Sequence, residues 1–151
     1  MSLATTIRRG SQEDVPAIEG IVRAAYQLYI PRIGKPPGPM TDDYHAQVAL
    51  GNVWVLVADG EIVGLVVLVP KADSMLLENV AVAPEKQRLG FGRRLIEFAE
   101  ARARQCGFRK IHLYTNELMY ENLAWYARLG YQETTRRLDS GFQRVFMSKP
   151  I

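Results

Sequence analysis

The junction of strand and helix in residues 80–92 constrains the fold of this chain more than any other feature of its sequence. The stretch runs Val-Ala-Val-Ala-Pro-Glu-Lys-Gln-Arg-Leu-Gly-Phe-Gly. An apolar strand ends at Val82, a loop turns, and Gly90 and Gly92 lie where a helix begins. Helix N-termini carry unpaired N–H groups and a partial positive charge, and glycine lets a phosphate approach them closely. The junction therefore predicts an α/β fold with an anion-binding turn.

Two common nucleotide motifs do not fit this junction. A dinucleotide fingerprint would place a third glycine at position 95, where the chain has Leu95. The Gly-Lys-Ser/Thr of a P-loop does not follow either. A Gly-x-Gly alone is also typical of a strand-to-helix connection that binds no ligand, so the junction needs support from elsewhere in the chain.

The rest of the chain alternates between strand and helix patterns. Strands are predicted at residues 6–9, 53–58, 62–69, 75–82, 110–114, 131–135 and 142–147. Helices are predicted from Ser11 to near Pro31, from Thr41 to near Gly51, and over residues 90–105 and 117–129. Asp59-Gly60 is a strong hairpin signal. This order predicts a mixed α/β sheet in a single domain, residues 1–151.

Composition excludes several classes of protein. Of 151 residues, 48% are apolar and 23% charged, as in globular domains, and no apolar run approaches the ~20 residues of a membrane span. The net charge of +3 suits an anionic cofactor but is too small and dispersed for nucleic acid. Cys106 is the only cysteine and the first five residues lack a signal-peptide pattern, so we expect a cytoplasmic location. No His/Cys/carboxylate grouping has metal-ligand spacing, so no metal is expected.

Two motifs resemble the GNAT superfamily of N-acetyltransferases. Residues 87–92, Gln-Arg-Leu-Gly-Phe-Gly, match that family's Gln/Arg-x-x-Gly-x-Gly/Ala signature, and the preceding Ala-Val-Ala-Pro is similar to the end of its fourth strand. Downstream, Ala124 to Tyr131 resembles the Ala-x-Tyr-x-x-x-Gly-Phe/Tyr segment. The resemblance implies the GNAT fold, a single mixed, mostly antiparallel sheet flanked by helices. It also implies acetyl-CoA as co-substrate and an amine of a small molecule or peptide as acceptor.

The same resemblance implies where the cofactor binds. Backbone N–H groups from Arg88 to Arg93 would hold the pyrophosphate, and the strand from Val80 to Val82 would pair with the pantetheine arm. Asn122 shares a helix face with Tyr126 and is a candidate contact, although the family more often has an asparagine at the position of Met119. The implied cofactor-binding residues are Val80, Ala81, Val82, Gln87, Arg88, Leu89, Gly90, Phe91, Gly92, Arg93 and Asn122.

Amide formation from acetyl-CoA needs a neutral amine and a protonated leaving thiol. Tyr126 is the candidate acid, because the resembling family has a tyrosine here near the sulfur of CoA. The alternative is a tyrosine that only packs on an amphipathic helix. Glu78 is the candidate base, because a carboxylate in an apolar strand is costly unless it faces water or a site. The alternative is an exposed glutamate or a hydrogen-bond acceptor in the core.

The acceptor side is expected beside the variable segment that follows the first helix. Tyr29, Arg32 and Tyr44 are its candidate substrate-binding residues, with Arg32 suited to a substrate carboxylate. A surface arginine is the alternative for Arg32.

Rival functions are a CoA-binding regulatory module without catalysis and a nucleic-acid-binding domain. The pI of about 9.1 suggests the second, but interleaved acidic residues argue against it. We also expect a homodimer formed through the closing strands, where Phe142, Val145 and Phe146 supply apolar surface.

Overall fold

The computed structural model describes residues 4–151. Met1–Leu3, which belong to the N-terminal stretch expected to lack a signal peptide, lie outside the described residues. Contacts divide the chain into two compact units. Unit 1 comprises Met1–Leu68 and Asn79–Ala99, and unit 2 comprises Val69–Glu78 and Glu100–Ile151. Two strands and one helix run from one unit into the other. The single domain over residues 1–151 stays a prediction.

Seven strands and five helices make up the described chain. The strands are β1 Thr5–Arg9, β2 Val53–Ala58, β3 Glu61–Pro70, β4 Met75–Val82, β5 Lys110–Asn116, β6 Gln132–Asp139 and β7 Phe142–Pro150. The helices are α1 Val15–Tyr26, α2 Ile30–Ile33, α3 Tyr44–Ala49, α4 Phe91–Gln105 and α5 Tyr120–Arg128. The strand order is β1-β2-β3-β4-β5-β7-β6. The β4–β5 pair is parallel, whereas the β1–β2, β2–β3, β5–β7 and β6–β7 pairs are antiparallel. The predicted mixed, mostly antiparallel α/β sheet is confirmed.

In unit 1 the Asp59-Gly60 hairpin forms as predicted. Both residues have positive φ, 50° and 80°, which a two-residue type I′ turn requires. The apolar face of α1 is buried at Val15, Ile18, Ile21 and Val22, and it covers the core of this unit.

The predicted limits of the first two helices were wrong. Helix α1 ends at Tyr26, a 3₁₀ turn follows, and Leu28 is 58% exposed instead of facing the core. Pro31 lies in the first turn of α2, where the missing N–H has no intrahelical acceptor to lose. Helix α3 begins at Tyr44, not at Thr41, because the side chain of Asp43 caps it by accepting from the N–H of Ala46 at 3.0 Å.

In unit 2 alternate residues of β5 are buried, including Ile111 and Leu113. Helix α5 begins three residues later than predicted, because the side chain of Asn116 accepts from the N–H of Leu118 at 2.9 Å and holds a turn there. Val145 is fully buried, so the prediction that it supplies apolar surface for a dimer was wrong. The strand at the end of the sheet is β6, which is exposed along almost its whole length.

Within residues 4–151, no helix has both the length and the apolar character needed to cross a bilayer.

Candidate functional site

The turn between β4 and α4 has the geometry of an anion-binding loop. After a 3₁₀ turn at Pro84–Lys86, Arg88 and Gly90 adopt positive φ values of 66° and 86°. The first helical hydrogen bond of α4 runs from the N–H of Arg94 to the carbonyl of Gly90 at 3.0 Å. The N–H groups of residues 91–93 therefore precede the helical ladder and point out of its N-terminus. Such groups bind phosphate oxygens.

Charge around this turn favours an anion. Arg88, Arg93 and Arg94 are all exposed, and the first turn of α4 has no acidic residue. Arg93 pairs with Glu97 at 3.1 Å, but both side chains are more than 60% exposed, so the pair contributes little. Within residues 4–151, no carboxylate forms an ion pair with Arg88 or Arg94. These two cations therefore add to the partial charge of the helix terminus.

The strand that precedes the turn directs its backbone groups to two different edges. A Cβ added at Gly64 on β3 would come within 3.0 Å of the carbonyl oxygen of Ala81, and the N–H of Ala83 donates to the carbonyl of Val63 at 2.9 Å. Ala81 and Ala83 therefore face β3. Because backbone groups alternate along a strand, Val80 and Val82 direct theirs to the opposite edge. That edge is the one the resemblance assigns to pantetheine.

Side chains from two other segments donate to the carbonyls on this edge. The hydroxyl of Tyr26 donates to the carbonyl of Val80 at 3.1 Å, and the side-chain amide of Gln87 donates to the carbonyl of Val82 at 3.1 Å. A carbonyl oxygen has two lone pairs, so each keeps further accepting capacity. The N–H groups of Val80 and Val82 face the same edge. An extended amide chain has the complementary groups.

Asn79 is a buried polar residue of this region that sequence reasoning missed. Its side chain is 4% exposed and contacts the hydroxyls of Tyr26 and Tyr44 at 2.7 and 3.0 Å. The available signal was an asparagine inside the otherwise apolar strand 75–82, where a buried amide needs partners.

The predicted acceptor residues lie in unit 1. Tyr44 is 2% exposed, and its hydroxyl donates to the carbonyl of Pro39 at 2.6 Å. Tyr29 is also buried, with its ring tilted against that of Tyr26 at 6.3 Å, and the guanidinium of Arg32 lies 5.2 Å from the Tyr29 ring. The hydroxyl of Tyr44 is thus engaged inside the unit, and the substrate-binding role of all three residues stays a prediction.

The predicted catalytic residues and Asn122 lie in unit 2. Tyr126 is 6% exposed on α5, and its ring contacts those of Trp125 and Tyr131 at centroid distances of 5.2 and 5.9 Å. Asn122, one turn earlier, shares its face of the helix and is half-exposed. Glu78 on β4 is half-exposed as well. Their chemical roles stay predictions.

A buried ionic cluster adjoins Tyr126. The hydroxyl of Tyr131 donates to Glu100 at 3.1 Å, and Lys149 donates to both oxygens of the same carboxylate at 3.1 Å. Burial, reinforced by the charge of Glu100, raises the pKa of Tyr131 far above its ordinary value. Tyr131 therefore stays protonated, and its ring makes an edge-type contact with that of Tyr126.

The two histidines each contact a neutral polar side chain. His112 lies 2.5 Å from the hydroxyl of Ser74, and desolvation, with the charges of Lys110 and Lys71, lowers its pKa. His45 contacts Gln12 at 2.8 Å. In the part of the chain that the structure describes, no three His, Cys, Asp or Glu residues are grouped as metal ligands would be.

Comparison with known proteins decides the family. Residues 49–133, more than half of the chain, match the family model described as an acetyltransferase (GNAT) domain. The chain belongs to the GNAT family. The match includes both motifs of the GNAT resemblance, and both units contribute residues to it.

Two relatives with similar sequences are also named N-acetyltransferases. Mouse (Mus musculus) N-alpha-acetyltransferase 80 is 43% identical over 86 residues, which are 51% of this chain and 26% of the mouse protein. The chain thus spans about a quarter of that relative. The uncharacterized N-acetyltransferase YjgM of Escherichia coli strain K12 is 28% identical over 135 residues, 83% of this chain and 81% of that one.

A solved GNAT structure shares the fold. The PaiA N-acetyltransferase of Thermoplasma acidophilum, crystallised in complex with coenzyme A, has a TM-score of 0.81 over 99% of this chain and 100% of its own. At 16% identity this likeness concerns the fold alone. The GNAT fold expected from the two sequence motifs is confirmed.

Proposed function

We propose that this protein is an acetyl-CoA-dependent N-acetyltransferase that transfers the acetyl group to a primary amine of a small molecule or peptide. The observation that carries the proposal is the order of two features along β4 and α4. A strand edge that presents the amide groups of Val80 and Val82 is followed directly by a helix N-terminus. Arg88 and Arg94 are exposed beside it and form no ion pair within residues 4–151. Coenzyme A has the matching order, a pantetheine arm with two amides followed by a pyrophosphate. Membership of the GNAT family supports this assignment.

The proposed chemistry is direct attack in a ternary complex. The amine nitrogen attacks the thioester carbonyl carbon, the C–S bond breaks, and the thiolate of CoA leaves. The proton lost by the amine goes to Glu78, directly or through water, and Tyr126 gives its proton to the thiolate. Asn122 contacts the cofactor. Tyr29, Arg32 and Tyr44 line the acceptor side, with Arg32 available for a substrate carboxylate.

The proposal extends to the whole chain as one catalytic domain, acting as a cytoplasmic homodimer with neither nucleic acid nor a membrane as partner. Light scattering at high micromolar concentration measures the assembly state.

The test of function has two stages, binding and turnover. Calorimetric titration should show saturable binding of acetyl-CoA and none of NAD or ATP at matched concentrations. An amine panel is then assayed with acetyl-CoA by release of free thiol. Cys106 is exposed and would react with the thiol reagent, so the assay is run on the Cys106→Ser variant.

The two stages separate the candidate functions. Acetyl-CoA binding with thiol release on at least one amine is the expected result. Binding without release on any amine would favour the CoA-binding regulatory module. Binding of NAD or ATP in place of acetyl-CoA would refute the proposal.

A further inference from the structure

Three buried side chains of unit 1 form a hydrogen-bonded chain between two backbone carbonyls. The hydroxyl of Tyr26 lies 2.7 Å from Oδ1 of Asn79 and 3.1 Å from the carbonyl of Val80. Nδ2 of Asn79 donates to the hydroxyl of Tyr44 at 3.0 Å, and that hydroxyl donates to the carbonyl of Pro39 at 2.6 Å. The exposed fractions of Tyr26, Asn79 and Tyr44 are 8%, 4% and 2%. These three side chains are called the tyrosine–asparagine bridge below.

The donors and acceptors permit one arrangement of the bridge. Tyr44 gives its single hydroxyl proton to Pro39, so toward Asn79 it can only accept, and the amide must present its nitrogen there. The amide oxygen then faces Tyr26, whose proton is shared between Asn79 and Val80. If the amide were flipped, its oxygen would face the hydroxyl of Tyr44, which has no proton left to donate. Since mismatched buried polar groups are costly, the amide of Asn79 is fixed in one orientation.

The two ends of the bridge reach the two sides of the proposed reaction. Val80 belongs to the β4 edge that receives the pantetheine arm. Pro39 belongs to the segment between α2 and α3, which lies on the proposed acceptor side. Pro39 is separated from Asn79 by the single hydroxyl of Tyr44. The acceptor segment is therefore anchored within two hydrogen bonds of the residue that precedes Val80.

We propose that Tyr26, Asn79 and Tyr44 are positioning residues, which tie the acceptor segment at Pro39 to the cofactor edge at Val80. This inference rests on the proposed function. Tyr26 fixes the backbone against which acetyl-CoA pairs, Tyr44 fixes the segment against which the amine binds, and Asn79 sets the distance between them. The tyrosines thus act at different ends, although each contributes one buried hydroxyl to the same network.

The test compares Tyr26→Phe with Tyr44→Phe, each the control of the other. Both remove one buried hydroxyl from the bridge and keep the ring. Tyr26→Phe should weaken acetyl-CoA binding, measured by calorimetry without an amine, by about three- to tenfold, because one neutral hydrogen bond is lost at that end. Tyr44→Phe should leave that Kd within about twofold and raise the KM for the amine by about three- to tenfold. Tyr131→Phe removes a buried hydroxyl from unit 2. Its Tm shows how much thermal stability the loss of one buried hydroxyl costs in this protein.

A double variant tests the connection through Asn79. Tyr44 dictates which way the amide faces, so the amide is free to turn once the Tyr44 hydroxyl is gone, and loss of the Tyr26 hydroxyl then has less effect on the acceptor side. The combined effect of Tyr26→Phe and Tyr44→Phe on the KM for the amine should therefore be smaller than the product of the single effects. Equal shifts of both constants in both single variants, or strictly multiplicative effects in the double variant, would overturn the bridge while leaving the proposed function intact. A wild-type protein that binds no acetyl-CoA would overturn both.

Discussion

The side-chain amide of Gln87 donates a hydrogen bond to the backbone carbonyl of Val82 at 3.1 Å, across the turn that joins β4 to α4. Gln87 is itself exposed, so the bond orders the loop and adds little to global stability. Gln87→Met keeps the length of the side chain and removes the donor. We expect acetyl-CoA to bind about three- to tenfold more weakly by calorimetry, with a change in unfolding free energy below about 0.5 kcal/mol. Gln132→Met, exposed on β6, is the control and should change neither quantity.

Substitutions at Gly90 test the effect of backbone conformation and the effect of charge in the same turn separately. Its φ of +86° strains any other residue, but a Cβ there would meet no atom within 4 Å. Gly90→Ala should therefore lower stability by about 1 kcal/mol and retain measurable acetyl-CoA binding. Gly90→Asp and Gly92→Asp add a carboxylate beside the proposed pyrophosphate site and should abolish the rise in Tm expected on binding of acetyl-CoA. If both aspartate variants kept the full rise in Tm, the phosphate site would have to lie elsewhere.

Gly64 allows β3 to approach both β4 and α4 closely. A Cβ at this position would lie 3.0 Å from the carbonyl oxygen of Ala81 and 3.1 Å from the side chain of Leu95. Gly64→Ala should lower the unfolding free energy by about 1–3 kcal/mol through overpacking. Because Ala81 lies between Val80 and Val82, whose backbone is proposed to pair with pantetheine, displacement of Ala81 should also weaken acetyl-CoA binding.

Gly20 provides the matched control for that substitution. It lies within α1, and a Cβ there would meet nothing within 4 Å. Gly20→Ala should raise the unfolding free energy by about 0.5–1 kcal/mol and leave acetyl-CoA binding unchanged. Urea denaturation and calorimetry on both variants measure these effects. An equal gain in stability for the two variants would show that β3 can accommodate the methyl group.

The Arg8–Asp14 pair makes the stability of unit 1 depend on pH. Asp14 is buried, accepts from Arg8 at 2.7 and 3.1 Å and from the N–H of Ser11 at 2.7 Å. Chiefly through the hydrogen bonds from Arg8, the pKa of Asp14 falls from its ordinary value to about 2. A carboxyl with a lowered folded-state pKa contributes stability above its unfolded value, about 4, and loses it as the pH falls from about 4 to 2.

The Asp14 contribution should be about 1–2 kcal/mol, since Arg8 is half-exposed and the pair is partly screened. Asp14→Asn should remove it at pH 7 and flatten the loss of stability between about pH 4 and 2. Urea denaturation as a function of pH gives the comparison. Asp73→Asn, at an exposed carboxyl, should leave that pH dependence in place. An Asp14→Asn protein with the wild-type dependence would assign the acid-sensitive stability to other carboxyls.

Local signals predicted the strands better than the helix ends. The limits predicted for β2 and β4 coincide with those observed, since each is an apolar run closed by a turn signal. Helix starts depended on individual side-chain hydrogen bonds, as at Asp43 and Asn116. Several neighbouring residues were equally suited to accept such bonds, so the sequence did not identify the first residue of the helix. The turn between β4 and α4 was predictable because its strand, loop and helix are contiguous in the chain, and its phosphate-binding role stays a prediction.

The bridge could not be predicted in the same way. Asn79 contacts Tyr26 across 53 positions and Tyr44 across 35. Sequence spacing carries no information about such partners until the sheet and helices are packed. The asparagine was visible as an anomaly in an apolar strand, but its partners were visible only in the fold.

The role proposed for Tyr126 has a direct kinetic test. The side chain is 6% exposed and its ring contacts those of Trp125 and Tyr131, so Tyr126→Phe should keep the ring contacts and the fold. Removal of the acid should lower kcat while acetyl-CoA affinity changes little. General acid catalysis contributes roughly 10²–10⁴-fold, and a loss in that range is expected when departure of the thiolate limits the rate. The high-pH limb of the rate profile should also change, because it would report loss of the phenolic proton.

Single-turnover kinetics separate this chemistry from product release. If release limits kcat, the steady-state effect of Tyr126→Phe is muted, whereas the single-turnover rate still reports transfer of the acetyl group. Tyr131→Phe is the matched control, since it removes a neighbouring buried hydroxyl that is bound to Glu100. It should lower stability but retain most of the single-turnover rate. A Tyr126→Phe protein with the wild-type single-turnover rate would show that its hydroxyl does not protonate the thiolate, and water or another side chain would then supply the proton.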